Sequence, residues 1–143
     1  MSRFSPKIEI SCTCPSLRAM FPFGHFELIE IVKKMCVQIQ EHCPSFNPKI
    51  NLLLCDDNLS QTLNERWLST PGPTNTLAFA GNPPKIQHQP FFSLETWRRE
   101  CVLYGQDATD YARRLLAHGL AHLAGFDHGP VMDSVCYSLQ FDE

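Results

Sequence analysis

The stretch HGLAHLAGFDH, from His118 to His128, holds three of the chain's six histidines within eleven residues. It closes a segment rich in alanine, leucine and arginine that follows Asp107, a residue type that caps helix N-termini. A helix is therefore predicted over residues 108–124. On it, His118 and His122 would project about 40° apart around the axis and one turn apart along it. These two side chains can share one metal ion.

Gly125 lies between the second and the third histidine of this stretch. In a continuous helix His128 would lie about 15 Å from His118 along the axis, too far to bind the same ion. Glycine adopts left-handed backbone conformations without steric cost, so Gly125 can end the helix and turn His128 back. Three neutral imidazoles suit zinc and leave a fourth position for water, as in catalytic zinc sites. We predict one Zn²⁺ ion on His118, His122 and His128.

The remaining hydrophobic patterns predict an α+β fold with a small mixed four-stranded sheet, helices packed mainly on one face, and the metal site on a central helix. The segment from Cys12 to Phe23, with two prolines, is predicted as a loop, and Asp57 or Asn58 is predicted to cap the second helix. The predicted strands are Lys7–Ser11, Lys49–Cys55, Thr74–Ala80 and a short strand at Phe91 and Phe92. The predicted helices are 24–42, a short helix ending at Trp67, 94–103 capped by Ser93, 108–124 and about 131–141.

Composition sets the broad class of protein. With 143 residues, 43% of them apolar and 19% charged, the chain is expected to be a single globular domain spanning residues 1–143. No apolar stretch reaches the roughly 20 residues that cross a bilayer, and the N-terminus lacks a signal-peptide pattern, so we expect no membrane association and a cytoplasmic protein. Seven cysteines without repeated CxxC spacing argue against a disulfide framework. A net charge of −3 means that a nucleic acid would have to meet a local basic patch.

Three blocks of the sequence together carry a family resemblance. HGLAHLAGFDH resembles the HGxLHLxGYDH signature of the YbeY family, zinc-dependent endoribonucleases implicated in ribosomal RNA maturation. LNERW, Leu63–Trp67, and PTNTLAFA, Pro73–Ala80, are similar to that family's LN-aromatic and PTDVLSFP blocks, and Met132 stands where its final helix begins. The chain departs from the family pattern in three places. Leu68 replaces a common arginine, Asn75 replaces an aspartate, and the usual GD or GE before the next strand is replaced around His88 and Gln89.

The resemblance implies an α+β metal-hydrolase fold, a single zinc ion on the three histidines, and cleavage of single-stranded RNA. It further implies a role in ribosome biogenesis, in processing the 3′ end of 16S rRNA, with the ribosome or ribosome-assembly proteins as partners. His118 is then both ligand and catalytic residue. Arg114 lies four residues before His118, on nearly the same helix face, and is expected to meet negative charge that develops on phosphate. Asp127 matches the signature and either orients a ligand imidazole or is a solvated turn residue.

Two other functions stay open at this point. The chain could be a non-catalytic RNA- or ribosome-binding module in which zinc only fixes the end of the helix, and Leu68 favours that alternative. It could also be a metallopeptidase, because HxxxHxxGxxH matches the long zinc signature of that class. In such peptidases a glutamate after the first histidine is the general base, whereas this chain has Gly119, which cannot accept a proton.

Overall fold

A mixed sheet and six helices make up the described part of the chain. The computed structural model describes residues 6–46, 48–68, 76–77, 87–88, 90–126 and 129–141. The strands are β1 (Lys7–Cys12), β2 (Lys49–Cys55), β3 (Thr76–Leu77), β4 (Gln87–His88) and β5 (Phe91–Ser93). The helices are α1 (Pro15–Arg18), α2 (His25–His42), α3 (Asp57–Leu68), α4 (Leu94–Leu103), α5 (Ala108–Leu123) and α6 (Pro130–Phe141).

Three parallel strands, β1, β2 and β5, form the body of the sheet. The two-residue strand β3 pairs antiparallel with β5, and β4 pairs parallel with β2, giving the order β1-β2-β5-β3 with β4 also beside β2. The α+β class and the mixed sheet are confirmed. The predicted count of four strands is wrong, because a two-residue strand such as β4 is too short to show an alternating pattern. Within the predicted strand at 74–80, only 76 and 77 belong to the described residues.

One face of the sheet carries the hydrophobic core. Leu54 of β2 and Phe92 of β5 are register partners, and both are fully buried. Together with Ile50 they belong to the same core cluster as the buried residues of α2 and α5. On the opposite face, where β1 meets β2, the hydroxyl of Ser11 donates a 2.9 Å hydrogen bond to Asn51 Oδ1 at an exposed position. The face that bears Ile50 and Leu54 is therefore the one that α2 and α5 cover.

Asp56, rather than Asp57 or Asn58, caps α3. The backbone N–H of Leu59 donates to Asp56 Oδ1 over 2.9 Å, which satisfies one of the donors that a helix N-terminus leaves unpaired. The predicted cap is thus wrong by one residue. Three adjacent residues here can each cap a helix, so local preference alone does not choose among them.

Asp57 instead ties α3 to the junction between β5 and α4. Its carboxylate accepts hydrogen bonds from Ser93 Oγ (2.9 Å), from the Thr96 hydroxyl and from Arg99 Nη1 (2.8 Å). Burial raises the pKa of Asp57, but the hydrogen bonds from Arg99, Thr96 and Ser93 outweigh it and hold that pKa below its usual value. Ser93 also accepts from the backbone N–H of Thr96, which confirms it as the predicted cap of α4.

The segment predicted as a loop between β1 and α2 contains the four-residue helix α1, so that prediction is wrong at residues 15–18. Pro15 is its first residue, a position where the missing N–H of proline costs no hydrogen bond. Helices of this length show no apolar period, which is why the sequence does not indicate it. No helix in the described ranges is both long enough and apolar enough to cross a membrane.

Helix α5 lies at the centre of the helical layer. It packs against α2, α4 and α6 and also contacts β3. Asp107 caps it as predicted, since the Asp107 side chain accepts from the backbone N–H of Asp110 over 3.0 Å. Its apolar residues are buried along almost the whole length, so the orientation of its remaining face is fixed by packing. That remaining face bears Arg114, His118 and His122.

Candidate functional site

His118 and His122 meet near the C-terminal end of α5. Their Nε2 atoms lie 3.2 Å apart, and the two ring planes are nearly perpendicular, at 82° with centroids 4.6 Å apart. Both side chains are half-buried. The helical spacing of four residues therefore brings the two imidazoles to one point, as predicted.

The separation of the two nitrogens fits a shared zinc ion. In tetrahedral coordination with Zn–N bonds of about 2.0–2.1 Å, two ligand nitrogens lie about 3.3 Å apart, close to the observed 3.2 Å. The same separation allows one imidazole N–H to donate to the other ring nitrogen, which holds the pair together. His122 also lies in the last turn of α5, where the helix dipole favours a cation. Donor type, spacing and electrostatics therefore all suit a zinc ion.

Gly125 ends α5 in the way that the sequence predicts. Its φ is +97°, and its N–H donates to the His122 carbonyl over 3.0 Å. The N–H of Phe126 donates to the Ala121 carbonyl over 3.1 Å, and Phe126 packs against the apolar cluster that contains Ala121. These two hydrogen bonds and this apolar contact are those of a Schellman motif. The chain therefore leaves the helix one turn after the histidine pair.

Asp127 and His128, the predicted orienting residue and the predicted third ligand, lie outside the described residues. Among the residues that the structure does describe, no three histidine, cysteine, aspartate or glutamate side chains gather closely enough to hold a metal. Two of the three predicted ligands are thus together, and the third remains a prediction.

Replacing Gly125 by alanine is expected to weaken zinc binding and to lower the free energy of unfolding by about 1–2 kcal/mol, the cost of a left-handed backbone at an L residue. An added Cβ would meet no atom within 4 Å, so the effect comes from the backbone alone. Gly105→Ala is the matched control, because Gly105 also has positive φ (+61°) but ends α4. We expect it to lower stability and leave zinc affinity unchanged, as measured by thermal unfolding and zinc titration. Equal zinc affinity in both variants would contradict the proposed role of the turn.

A groove opens beside His118, between α5, α6 and the turn after α4. We call it the α5–α6 groove; it is a cavity of about 700 Å³ whose lining includes Tyr104, Arg114, His118, Asp133 and Tyr137. This volume is in the range of about 300–1,000 Å³ that is usual for ligand sites. Of the two histidines, His118 therefore borders a groove with the volume of a ligand site.

The arginines near the site have different environments. Arg114 is exposed and lines the α5–α6 groove, as its spacing from His118 indicates. Arg113 is half-buried, and its Nε donates to the Gln140 carbonyl of α6 over 3.4 Å. Arg98 and Arg99 line a different cavity, between α1 and α4. The described charge that can meet a phosphate beside His118 is therefore that of Arg114.

Two ionisable groups of the groove stay neutral at physiological pH. Burial raises the pKa of Tyr111 to about 12, with a further contribution from its 2.9 Å hydrogen bond to Glu100. Burial also raises the pKa of the Cys136 thiol above its ordinary value. Neither side chain therefore supplies a nucleophilic anion at neutral pH.

Tyr104 and Tyr137 line the groove but are absent from the sequence predictions. Tyr137 lies off the apolar face of α6, and Tyr104 directly precedes the glycine that ends α4. An aromatic residue off the buried period of its helix is the signal that could have indicated them. The buried residues that define that period in α6 are Met132, Val135, Cys136 and Leu139.

The fold and the histidine pair define an α+β protein with a candidate metal centre at the end of its central helix. This fold is shared with the solution structure of TM1509 from Thermotoga maritima. The TM-score is 0.57, with 18% sequence identity over 95% of this chain and 87% of that chain. At this identity the likeness concerns the fold alone.

Comparison of sequences identifies the family. Residues 21–134 match the family model described as Endoribonuclease YbeY. Proteins of that name are similar to this chain in Oleidesulfovibrio alaskensis, at 39% identity over 63% of this chain and 68% of that protein, and in Lawsonia intracellularis, at 32% over 82% and 84%. The one from Nitratidesulfovibrio vulgaris is 36% identical over 60% of this chain, which spans about two thirds of that protein (66%). The chain belongs to the YbeY family.

Proposed function

We propose that this chain is a zinc-dependent endoribonuclease that cleaves single-stranded RNA. The observation that carries the proposal is the 3.2 Å separation of the His118 and His122 Nε2 atoms beside a groove lined by Arg114. Membership of a family whose relatives are named endoribonucleases supports the reaction type. The reaction is hydrolysis of a phosphodiester bond.

His118 and His122 would hold the zinc ion through Nε2, with His128 as the proposed third ligand. A bound zinc ion would polarise a phosphoryl oxygen and would lower the pKa of a water molecule to about 7. The protein contributes the fixed position of the two imidazoles, because α5 packs against α2, α4 and α6 and ends at Gly125. Asp127 is proposed to accept a hydrogen bond from a ligand imidazole and so orient it.

Arg114 is proposed to bind the phosphate that is cleaved. Its guanidinium carries five N–H donors in a planar fork that matches two phosphate oxygens. Hydrogen bonds to those oxygens strengthen as negative charge develops on them in the transition state. Arg114 is exposed on the groove, so a phosphate beside His118 is accessible to it.

We further propose that the substrate is ribosomal RNA, at the 3′ end of 16S rRNA, with the ribosome or ribosome-assembly proteins as partners in the cytoplasm. The resemblance of the HGLAHLAGFDH stretch supports this assignment. A metallopeptidase is disfavoured because Gly119, buried in α5, occupies the position of the catalytic glutamate.

One departure from the family pattern favours a second candidate function. Leu68, the last residue of α3, stands where family members commonly carry an arginine. A chain without that arginine could bind RNA through the groove and use zinc only to fix the end of α5. The alternative is thus a non-catalytic RNA- or ribosome-binding module.

Zinc-loaded protein is expected to convert a labelled single-stranded RNA into shorter fragments, and a chelator is expected to stop this reaction. Adding zinc back after removal of the chelator should restore cleavage, and a double-stranded RNA of the same sequence should remain intact. The readout is gel analysis of end-labelled RNA, with casein as a parallel substrate. RNA that is bound but equally intact with zinc and with chelator would support the binding module. Casein cleavage that the chelator stops would support the peptidase.

A further inference from the structure

Two exposed tyrosines face the groove beside the histidine pair. Tyr104 is 60% exposed and Tyr137 is 67% exposed, and both line the α5–α6 groove with Arg114 and His118. Exposed aromatic rings next to an arginine are the usual elements of single-strand nucleic acid sites, because every base can stack on a ring. The two tyrosines therefore require an explanation that core packing does not supply.

The backbone at Tyr104 is fixed by a helix-ending motif. The N–H of Tyr104 donates to the Glu100 carbonyl, and the N–H of Gln106 donates to the Cys101 carbonyl, each over 2.9 Å. Gly105, with φ of +61°, makes this turn possible. Tyr104 is thus presented to the groove from a defined turn, and Tyr137 from helix α6. Because the backbone at both positions is already ordered, no backbone entropy is lost there when a ligand binds.

The charges that line the groove favour binding by stacking of bases on the tyrosine rings over electrostatic attraction of the RNA backbone. Arg114 is the one lysine or arginine among the described lining residues, and the carboxylate of Asp133 opposes it. These two side-chain charges cancel, so before zinc binds the groove attracts a phosphate backbone only weakly, and the proposed zinc ion would add positive charge only at His118. Away from His118, binding must then come mainly from the rings, with Arg114 providing one phosphate contact. Stacking of this kind requires unpaired bases, since paired bases present only their edges.

We propose that the α5–α6 groove is a base-stacking subsite for single-stranded RNA, in which Tyr104 and Tyr137 stack on bases adjacent to the phosphate held by Arg114. This inference rests on the proposed nuclease function, because it places those bases next to the scissile bond at His118. The subsite selects single strands and holds the RNA in position. The tyrosines are positioning residues and take no part in bond cleavage.

The test compares leucine and phenylalanine at both tyrosines in the full chain. The double variant Tyr104→Leu, Tyr137→Leu keeps apolar bulk but removes the rings, and the double phenylalanine variant keeps the rings and removes the hydroxyls. Phe26→Leu is the matched control, because Phe26 is 80% exposed on α2 and does not line this groove. The probe is a fluorescein-labelled single-stranded RNA, with an abasic RNA of the same length as a second probe.

The leucine variant is expected to raise Kd and KM by about 5-fold to 150-fold per lost base contact and to leave kcat unchanged. Kd comes from fluorescence anisotropy in chelator, and KM and kcat from cleavage by zinc-loaded protein. The phenylalanine variant and Phe26→Leu should match wild type. With abasic RNA the leucine variant should bind as wild type does, which a merely structural role of the tyrosines would not produce.

The outcomes separate the subsite from the proposed function. Wild type that cleaves RNA, with a leucine variant of equal Kd and KM, overturns the subsite and leaves the nuclease function standing. Wild type that binds but does not cleave, with weaker binding by the leucine variant, supports the subsite and overturns cleavage. Loss of binding in the phenylalanine variant overturns stacking, since the rings are retained. Wild type that binds no RNA overturns both proposals.

Discussion

Replacing His118 and His122 together by alanine is expected to remove stoichiometric zinc and to lower the rate of RNA cleavage by at least about 1,000-fold. A bound zinc ion contributes several kcal/mol of charge stabilisation in the transition state, and each 1.4 kcal/mol corresponds to a factor of ten in rate. Two nitrogens 3.2 Å apart are lost at once, so the proposed third ligand, His128, could not retain the ion tightly by itself. Zinc content after dialysis and the initial rate of cleavage are the two measurements.

His25→Ala is the matched control for the histidine variant. His25 is an exposed histidine at the first position of α2, where its ring contacts that of Phe26. We expect this variant to keep the zinc content and the cleavage rate of wild type. Circular dichroism of the double variant should still show the helical content of the native chain. Full zinc occupancy in the double variant would disprove the proposed metal centre, and full cleavage without zinc would disprove its role in the reaction.

The sequence predicts those parts of the fold that depend on local chemistry. Asp107, Ser93 and Gly125 end or begin helices where predicted, because a cap or a left-handed turn is decided by a few adjacent residues. The N-terminal cap of α3 is an exception, because adjacent residues alone do not decide it. Asp56 takes the cap because Asp57 is engaged by residues of β5 and α4 about 40 positions away in sequence. Local preference contains no information on such a long-range contact.

In the candidate site, too, features within one helix are predictable from the sequence, whereas features that depend on long-range packing are not. The meeting of His118 and His122 is predicted because their geometry is internal to one helix. The α5–α6 groove is not predicted, since Tyr104 and Tyr137 come from two different elements whose juxtaposition depends on packing of α4 and α6 against α5. The order of the strands in the sheet likewise depends on long-range pairing, and a strand of two residues has no sequence pattern that would indicate its partner.

Arg114→Ala is expected to lower kcat for RNA cleavage by about 100-fold or more, the usual loss when one donor to a developing oxyanion is removed. Zinc content and thermal stability should stay unchanged, because Arg114 is exposed and lies outside the buried face of α5. Arg114→Lys should recover part of the rate, since it keeps the charge but loses the planar fork. The measurements are single-turnover cleavage rates, with zinc content and the melting temperature as checks.

Arg98→Ala controls for the loss of a surface charge. Arg98 is exposed on α4 and contacts Met20, which lines the separate cavity between α1 and α4. Its replacement by alanine should therefore leave the cleavage rate unchanged. Arg113 is unsuitable for this comparison because its Nε already donates to the Gln140 carbonyl and so joins α5 to α6.

A contact between Arg114 and a phosphate also predicts a change in the salt dependence of RNA binding. The slope of log Kd against log salt concentration should become shallower in Arg114→Ala by about 0.7, the value for one phosphate of a single strand. An unchanged salt slope and an unchanged rate would show that Arg114 does not bind the scissile phosphate. Because Arg114 is the one lysine or arginine among the described lining residues of the groove, that result would leave no described side-chain cation for the reaction, and the binding module would become the better account.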